Sequence, residues 1–367
     1  MSILGVESVI YGVDNLPNCT KFWKDFGLNP VRLTEGDSIF DVASGSRIIL
    51  MKDSDTRLPP RNFEGNGVRL TVWGVDTADA LDRLVERLQK RVEVTRDADG
   101  SAFFQAPDGQ YLGLRLWNKK AVVSAPDPVN APGHIVRLNR HRQWRHKAIP
   151  KTINHVVFFS SDYVRSFEFY RDFLDFRYSD HSKGVGIFAR ADGTYEHHSI
   201  FWVNGDLPFA PDGHGFMHIA FGLDDIDEIM LGANIMERRG WQNSSMNSSG
   251  GISRHRISSA LYYYVDCPAG GEAEYHADTD YLDDNWVPRA WDFKFGSLLW
   301  ANRTPPIFAG NDIPWDMTFD PDGASFDPFR KPLPDPFGKD TSWHNPSGGS
   351  SPIMMPRASR WCAASTR

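Results

Sequence analysis

The stretch Ile153-Asn-His-Val-Val-Phe-Phe-Ser-Ser-Asp162, followed by Phe169-Tyr-Arg-Asp-Phe-Leu-Asp-Phe176, repeats a pattern met earlier in the chain. Gly5-Val-Glu-Ser-Val-Ile-Tyr-Gly-Val-Asp14 precedes Phe22-Trp-Lys-Asp-Phe-Gly-Leu28 in the same order: a strand-type run closing on Asp, then a helical segment with the signature Phe-aromatic-basic-Asp-Phe. Further on, Gly67-Val-Arg-Leu-Thr-Val-Trp-Gly-Val75 matches Gly215-Phe-Met-His-Ile-Ala-Phe-Gly-Leu223, and each leads into an Asp-containing helical segment. Ala106-Pro-Asp-Gly-Gln-Tyr-Leu-Gly113 matches Cys267-Pro-Ala-Gly-Gly-Glu-Ala-Glu274. An internal repeat has to be recognised before a fold is assigned, because the repeated unit is the building block. Four units of a strand, a helix and further strands predict an α+β protein of two halves, each a curved sheet made from a pair of βαβββ modules.

The repeat is also an internal comparison. Aligning the halves sets His155 opposite Glu7, His218 opposite Leu70 and Glu274 opposite Gly113. The apolar framework recurs, whereas the three potential metal ligands occur together only in the second half. Their spacings are 218 − 155 = 63 and 274 − 218 = 56 residues, each close to one unit. Each ligand therefore stands on its own strand, and a curved sheet can turn all three inward. Two imidazoles and one carboxylate on one face are the ligand set of non-haem Fe(II) oxygenases, which leaves coordination positions open for substrate and oxygen.

The hairpin that ends at Glu274 bears more polar chemistry. Its first strand, Ala260 to Val265, meets a Pro-Ala-Gly-Gly turn, and a short second strand follows. His255, Tyr264 and Glu274 come within reach of one another around it. Tyr262 and Tyr264 share a strand face, so either could reach a pocket there. His214 reads as a loop residue before its strand, His197 as facing away from the metal, and His276 and Asp278 as mimics of ligands.

Spacing across this region resembles the signature of the type I extradiol ring-cleaving dioxygenases of the vicinal oxygen chelate superfamily. The pattern is His, Tyr nine residues on, Pro four later, Gly two later and Glu four after that; His255, Tyr264, Pro268, Gly270 and Glu274 fit every interval. Glu196-His-His-Ser-Ile-Phe-Trp202 is similar to the family's His-His-Ser segment. The resemblance covers most of residues 1–300. It implies the glyoxalase-like fold, with His155, His218 and Glu274 as ligands of Fe(II), or of Mn(II) as in some members. It implies His198 as the active-site acid/base, and His255 and Tyr264 as groups that hydrogen-bond the substrate hydroxyls or oxygen. The implied reaction is extradiol (meta) cleavage of a catecholic aromatic with O2, in aromatic compound catabolism. Departures from the usual pattern at Ser253, Ser258, Tyr263 and Cys267 bear on the substrate more than on the reaction.

Two alternatives stay open: a 2-oxo-acid-type dioxygenase like hydroxyphenylpyruvate dioxygenase, and a non-catalytic small-molecule-binding protein of the same superfamily. The first would not require His198, His255 and Tyr264; the second has no need of an intact ligand triad.

Bulk properties agree with a globular enzyme. The 367 residues suffice for two or three domains, and 41% hydrophobic with 24% charged residues is ordinary. A net charge of −7 argues against a nucleic-acid partner. The three scattered cysteines, Cys19, Cys267 and Cys362, do not form a disulfide framework. Neither a signal peptide nor a membrane span is expected, so the chain reads as cytoplasmic. The expected organisation is a scaffold domain without metal over 1–133, a basic linker over 134–151, a metal-binding catalytic domain over 152–303, and an irregular Pro/Gly-rich arm over 304–367. A homo-oligomer is expected, with the arm as a candidate interface.

Overall fold

Four consecutive units emerge in the computed structural model, which describes residues 2–61, 66–208, 210–211, 215–244, 250–305, 308, 313 and 315–329. The first unit is β1 (Ile3–Val13), α1 (Leu16–Phe26), β2 (Asn29–Leu33), β3 (Asp37–Asp41) and β4 (Arg47–Lys52). The second is β5 (Gly67–Val75), α2 (Ala78–Leu88), β6 (Val94–Arg96), β7 (Ala102–Gln105) and β8 (Tyr111–Leu116). The third is β9 (Thr152–Ser160), α3 (Tyr163–Leu174), β10 (Arg177–Ser182), β11 (Gly186–Arg190) and β12 (Ile200–Asn204). The fourth is β13 (Gly215–Gly222), α4 (Ile226–Arg238), β14 (Ser253–Arg254), β15 (Leu261–Asp266) and β16 (Glu272–Ala277).

In every unit the last strand lies parallel to the first, as β1–β4, β5–β8, β9–β12 and β13–β16. Units pair through antiparallel first strands, β1 with β5 and β9 with β13. The result is an eight-stranded sheet and an eleven-stranded sheet. The fold is the glyoxalase-like arrangement of paired βαβββ modules. The repeat alignment holds in the register: Val72 faces Gly113 in one half, as Ala220 faces Glu274 in the other. Where the second half has the three expected ligands, the first has a buried Glu7 whose carboxylate lies 3.4 Å from Arg115.

Local chemistry explains the helix starts. Asp162 caps α3 by accepting from the Arg165 amide at 2.9 Å. In α1 the cap falls one residue later than the aspartate, on Asn15, with Pro17 in the first turn where its missing N–H costs nothing. Leu16, Cys19, Trp23 and Phe26 recur at helical spacing and are buried against the sheet.

The two halves share a single core. Phe26 of α1 stacks on Tyr275 of β16 at 4.0 Å, and the Tyr275 hydroxyl donates to the Phe26 carbonyl at 2.8 Å. The turn between β15 and β16 is pinned from the other side: Asn66 Nδ2 donates to the Pro268 carbonyl at 3.0 Å. Gly270 adopts φ +111°, and a Cβ there would lie 2.4 Å from the Asn66 carbonyl oxygen, so a side chain is excluded. The scaffold half thus buttresses the strand that bears Glu274.

Arg142, Arg145 and Lys151 of the basic connector ion-pair with Asp224, Asp225, Asp227 and Glu228 around the N-terminus of α4. Past the fourth unit, β17 (Arg289–Trp291), β18 (Trp300–Ala301) and β19 (Met317–Phe319) extend the second sheet, with the short helix α5 (Phe293–Ser297) between β17 and β18. Strand β19 and a 3-10 helix (Ala324–Phe329) lie within the segment expected to be irregular. Three-residue strands are too short to leave a period in sequence. Phe326 inserts between Tyr178 and Phe167, with ring centroids 4.9 and 5.8 Å away. The remainder of the arm, 330–367, and Cys362 within it, lie outside the described residues. Among the described residues no helix is long and apolar enough to cross a membrane.

Candidate metal centre

His155 on β9, His218 on β13 and Glu274 on β16 come from three adjacent strands, and their side chains meet at a point. His155 Nε2 is 3.3 Å from His218 Nε2, and Glu274 Oε2 is 3.2 Å from each of them. All three residues are buried. Glu274 Oε2 makes no hydrogen bond, although it sits beside both imidazoles. A buried carboxylate oxygen without a hydrogen bond is costly unless something else meets its charge. Three donors about 2.2 Å from one ion and at right angles would be about 3.1 Å apart, which is the separation found here. The residues fit a divalent cation.

Protonation fits as well. Burial lowers the His155 pKa to about 3, outweighing the opposing effect of Glu274. Burial alone would raise the Glu274 carboxyl, but His155, His218 and His276 hold it well below the usual range. Neutral imidazole and ionised carboxylate are the forms that bind metals.

The sequence suggests His276 only as a mimic of a ligand. It lies two residues beyond Glu274 on the same strand face, and its Nδ1 is 3.1 Å from Glu274 Oε1. Ligand atoms of His155, Glu274 and His276 also fall within 4.8 Å of one another. The trio with His218 is tighter and converges on the carboxylate oxygen that lacks a hydrogen bond. His276 already engages the opposite oxygen, so it orients the carboxylate. Strand alternation was the signal that could have identified it.

A cavity of about 180 Å³ opens at the three donors. Its wall includes Val157, Phe188, Phe201, Val203 and Met217, with Phe188 and Phe201 stacked at 3.8 Å. Pro305 and Phe308, from the segment after β18, also line it. The structure brings His198, His255 and Tyr264 to the same cavity. The His198 ring is 4.1 Å from that of His155, and burial, then His155 and His197, depress its pKa well below the ordinary value. His255 Nδ1 faces the Ser297 carbonyl at 2.6 Å, so that nitrogen holds the proton and donates. Burial lowers the His255 pKa to about 4. Tyr264 lies directly across the hairpin from Glu274, and burial, then that carboxylate, push its phenol well above 10. Tyr262 reaches the cavity too, where it stacks on His255 at 3.9 Å. His197 does not line the cavity: its Nδ1 is 3.1 Å from His198 Nδ1, and its Nε2 is 3.0 Å from Asp180 Oδ2. His214 lies outside the described residues.

Comparisons with known proteins agree with this geometry. Residues 152–232 match the Glyoxalase/Bleomycin resistance protein/Dioxygenase superfamily. Metapyrocatechase 2 of Cupriavidus necator is 27% identical over 324 residues, covering 84% of this chain and 92% of that protein. An iron-dependent extradiol dioxygenase of Rhodococcus jostii strain RHA1 is 26% identical over 288 residues, covering 73% of this chain and 88% of its own length. The 2,3-dioxygenase LapB of Pseudomonas sp. KL28 superposes with a TM-score of 0.62 at 18% identity, across 80% of this chain and 99% of that one. At that identity the superposition speaks for the fold alone. The chain is thus similar to the Glyoxalase/Bleomycin resistance protein/Dioxygenase superfamily over residues 152–232, and over most of its length to proteins that are extradiol dioxygenases.

Proposed function

We propose that this protein is an extradiol dioxygenase that opens a catecholic ring beside its hydroxyl pair, using O2 and a non-haem Fe(II), or Mn(II), held by His155, His218 and Glu274. The observation that carries this reading is the meeting of two Nε2 atoms and one Oε2 atom at 3.2–3.3 Å on the floor of an apolar cavity. When bound, such an ion lowers the pKa of a coordinated hydroxyl and provides the electron path between ring and dioxygen.

The protein's own groups do the rest. An apolar cavity of about 150 Å³ is known to take benzene, so about 180 Å³ admits one aromatic ring with little space to spare. The Phe188 and Phe201 rings and the aliphatic side chains beside them exclude water from that ring. His255 donates Nδ1–H to the Ser297 carbonyl, which leaves its Nε2 free to accept from a substrate hydroxyl. Tyr264 keeps its proton at neutral pH and serves as an O–H donor toward the substrate oxygens. His198 is the group that takes up and returns the substrate's proton. We also place the protein in the cytoplasm, a reading that Cys267 supports by being buried and unbridged. Exposed Ile135, Leu138 and Trp144 on the connector, with Val129 just before it, support a homo-oligomer.

The test is anaerobic loading with Fe(II), or separately Mn(II), followed by oxygen uptake against a panel of mono- and bicyclic catechols. Stoichiometric uptake with formation of a yellow ring-opened product is expected. Metal retention without uptake for any member would favour a binding protein instead.

A further inference from the structure

Behind His198, away from the ligands, runs a fully buried chain of polar groups. His198 Nδ1 is 3.1 Å from His197 Nδ1, and His197 Nε2 is 3.0 Å from Asp180 Oδ2. Asp180 lies on β10, between β11 and β17. Its Oδ1 accepts from the Arg289 backbone amide at 2.8 Å, and its Oδ2 also accepts from Trp291 Nε1–H at 3.1 Å. The main chain of His197 is tied to the Asp280 carbonyl at 2.9 Å. The Phe188 ring packs edge-on against both imidazoles, with centroids 5.6 and 4.9 Å away.

We infer that Asp180 and His197 are positioning residues that fix the tautomer of His198, so that its Nε2 meets the substrate as a bare proton acceptor. The derivation follows hydrogen-bond polarity. A carboxylate only accepts, so the nitrogen of His197 that faces Asp180 bears a hydrogen. A neutral His197 then has an unprotonated Nδ1, and the single hydrogen between the two Nδ1 atoms belongs to His198. His198 donates it to His197, and its Nε2 is left bare for the cavity. There it can take a hydroxyl proton: the substrate O–H bond breaks and an N–H bond forms. The positive charge that results stays on His198 and is stabilised by the Asp180 carboxylate beyond His197. Orientation of a base by a buried carboxylate is familiar where the two touch directly; here a second imidazole relays it. The role given to His198 rests on the dioxygenase reading, whereas the tautomer does not.

The experiment has two arms. In metal-free wild-type protein with 15N-labelled histidine, long-range 1H–15N correlation reads each tautomer. Hydrogens on His198 Nδ1 and His197 Nε2 are expected; a hydrogen on His198 Nε2, or on His197 Nδ1, overturns the relay. In the second arm, Fe(II)-loaded His197→Leu and His197→Gln are compared. Leucine removes the acceptor, and kcat should fall on the order of 10-fold or more with KM within about threefold. Glutamine can accept from His198 with its carbonyl and donate to Asp180 with its amide, so it should recover most of the loss. Equal behaviour of the two variants, or an unchanged kcat with leucine, overturns the relay. If leucine prevents folding, the wild-type spectrum still decides. An Nδ1–H tautomer at His198 in a protein that turns over no catechol would support the relay and count against the dioxygenase reading.

Discussion

Replacing His276 and His218 separately by alanine asks which of the two overlapping trios holds the ion. His276 Nδ1 lies 3.1 Å from Glu274 Oε1, so His276→Ala removes one hydrogen bond to a carboxylate. Such a bond is worth about 1.5–3 kcal/mol, and its loss lets the carboxylate turn. At about 1.4 kcal/mol per decade, metal affinity should drop roughly 10- to 150-fold, the range usual for groups that orient a ligand. His218→Ala removes a donor from the converging point itself. Apparent binding free energies of about 10–16 kcal/mol over four ligands give roughly 2.5–4 kcal/mol per donor, or on the order of a few hundred-fold. The assay is anaerobic competition for Fe(II) against a chromophoric chelator, with circular dichroism and apo-protein melting as folding controls. His218→Ala should be the weaker binder of the two. The reverse order would show that His276 is a ligand and His218 is not. Affinities within threefold of wild type for both would refute a metal site at this point altogether.

Other outcomes follow from the same structure. His198→Phe should retain iron yet open the ring about 100-fold more slowly or worse, read by single-turnover product formation; an undiminished rate removes it from proton transfer. Phe26→Ala deletes a fully buried ring stacked on Tyr275 and should cost about 3–5 kcal/mol, on the order of 10 °C in calorimetric Tm. A loss under 1 kcal/mol would mean the halves are not held through α1. His181 is buried, and burial lowers its pKa from 6.5 to about 4 despite the opposing charge of Asp320. The unfolded chain therefore binds a proton between pH 6.5 and 4 that the fold does not. This term leaves stability intact above pH 6.5 and removes up to roughly 3 kcal/mol by pH 4. His181→Asn should show a shallower fall in apo-protein Tm between pH 7 and 4.5 than wild type. Identical slopes would mean that His181 is protonated within the fold.

Much of the architecture was legible because it is written twice. The Phe-aromatic-basic-Asp-Phe helices and the Pro-x-Gly turns announce four modules, and comparing the halves isolates His155, His218 and Glu274. The register then sets Glu274 opposite Ala220 as Gly113 stands opposite Val72. Spacing singles out Tyr264 rather than Tyr262, and both line the cavity. Their separate tasks depend on what each meets: His255 under one ring, and Glu274 across the hairpin from the other.

What the amino-acid sequence determines by itself is everything that depends on period and spacing: the module count, the strand bearing each donor, and the hairpin that ends at Glu274. These are local properties of a chain whose side chains alternate across a strand and recur along a helix. Tertiary structure alone decides the polar groups that meet through pairing between distant strands. Asp180 is 17 residues from His197, and Trp291 is 111 residues from Asp180, yet the three converge on one buried carboxylate. No pattern along the chain links them, because their contact depends on β10 lying between β11 and β17. The same holds for the Glu7–Arg115 pair, which stands in the scaffold half where the ligands stand in the other. Strand alternation marks His276 as sharing the face of Glu274. Only folding brings His155 and His218 to that face, where their Nε2 atoms meet Glu274 Oε2 while His276 meets Oε1.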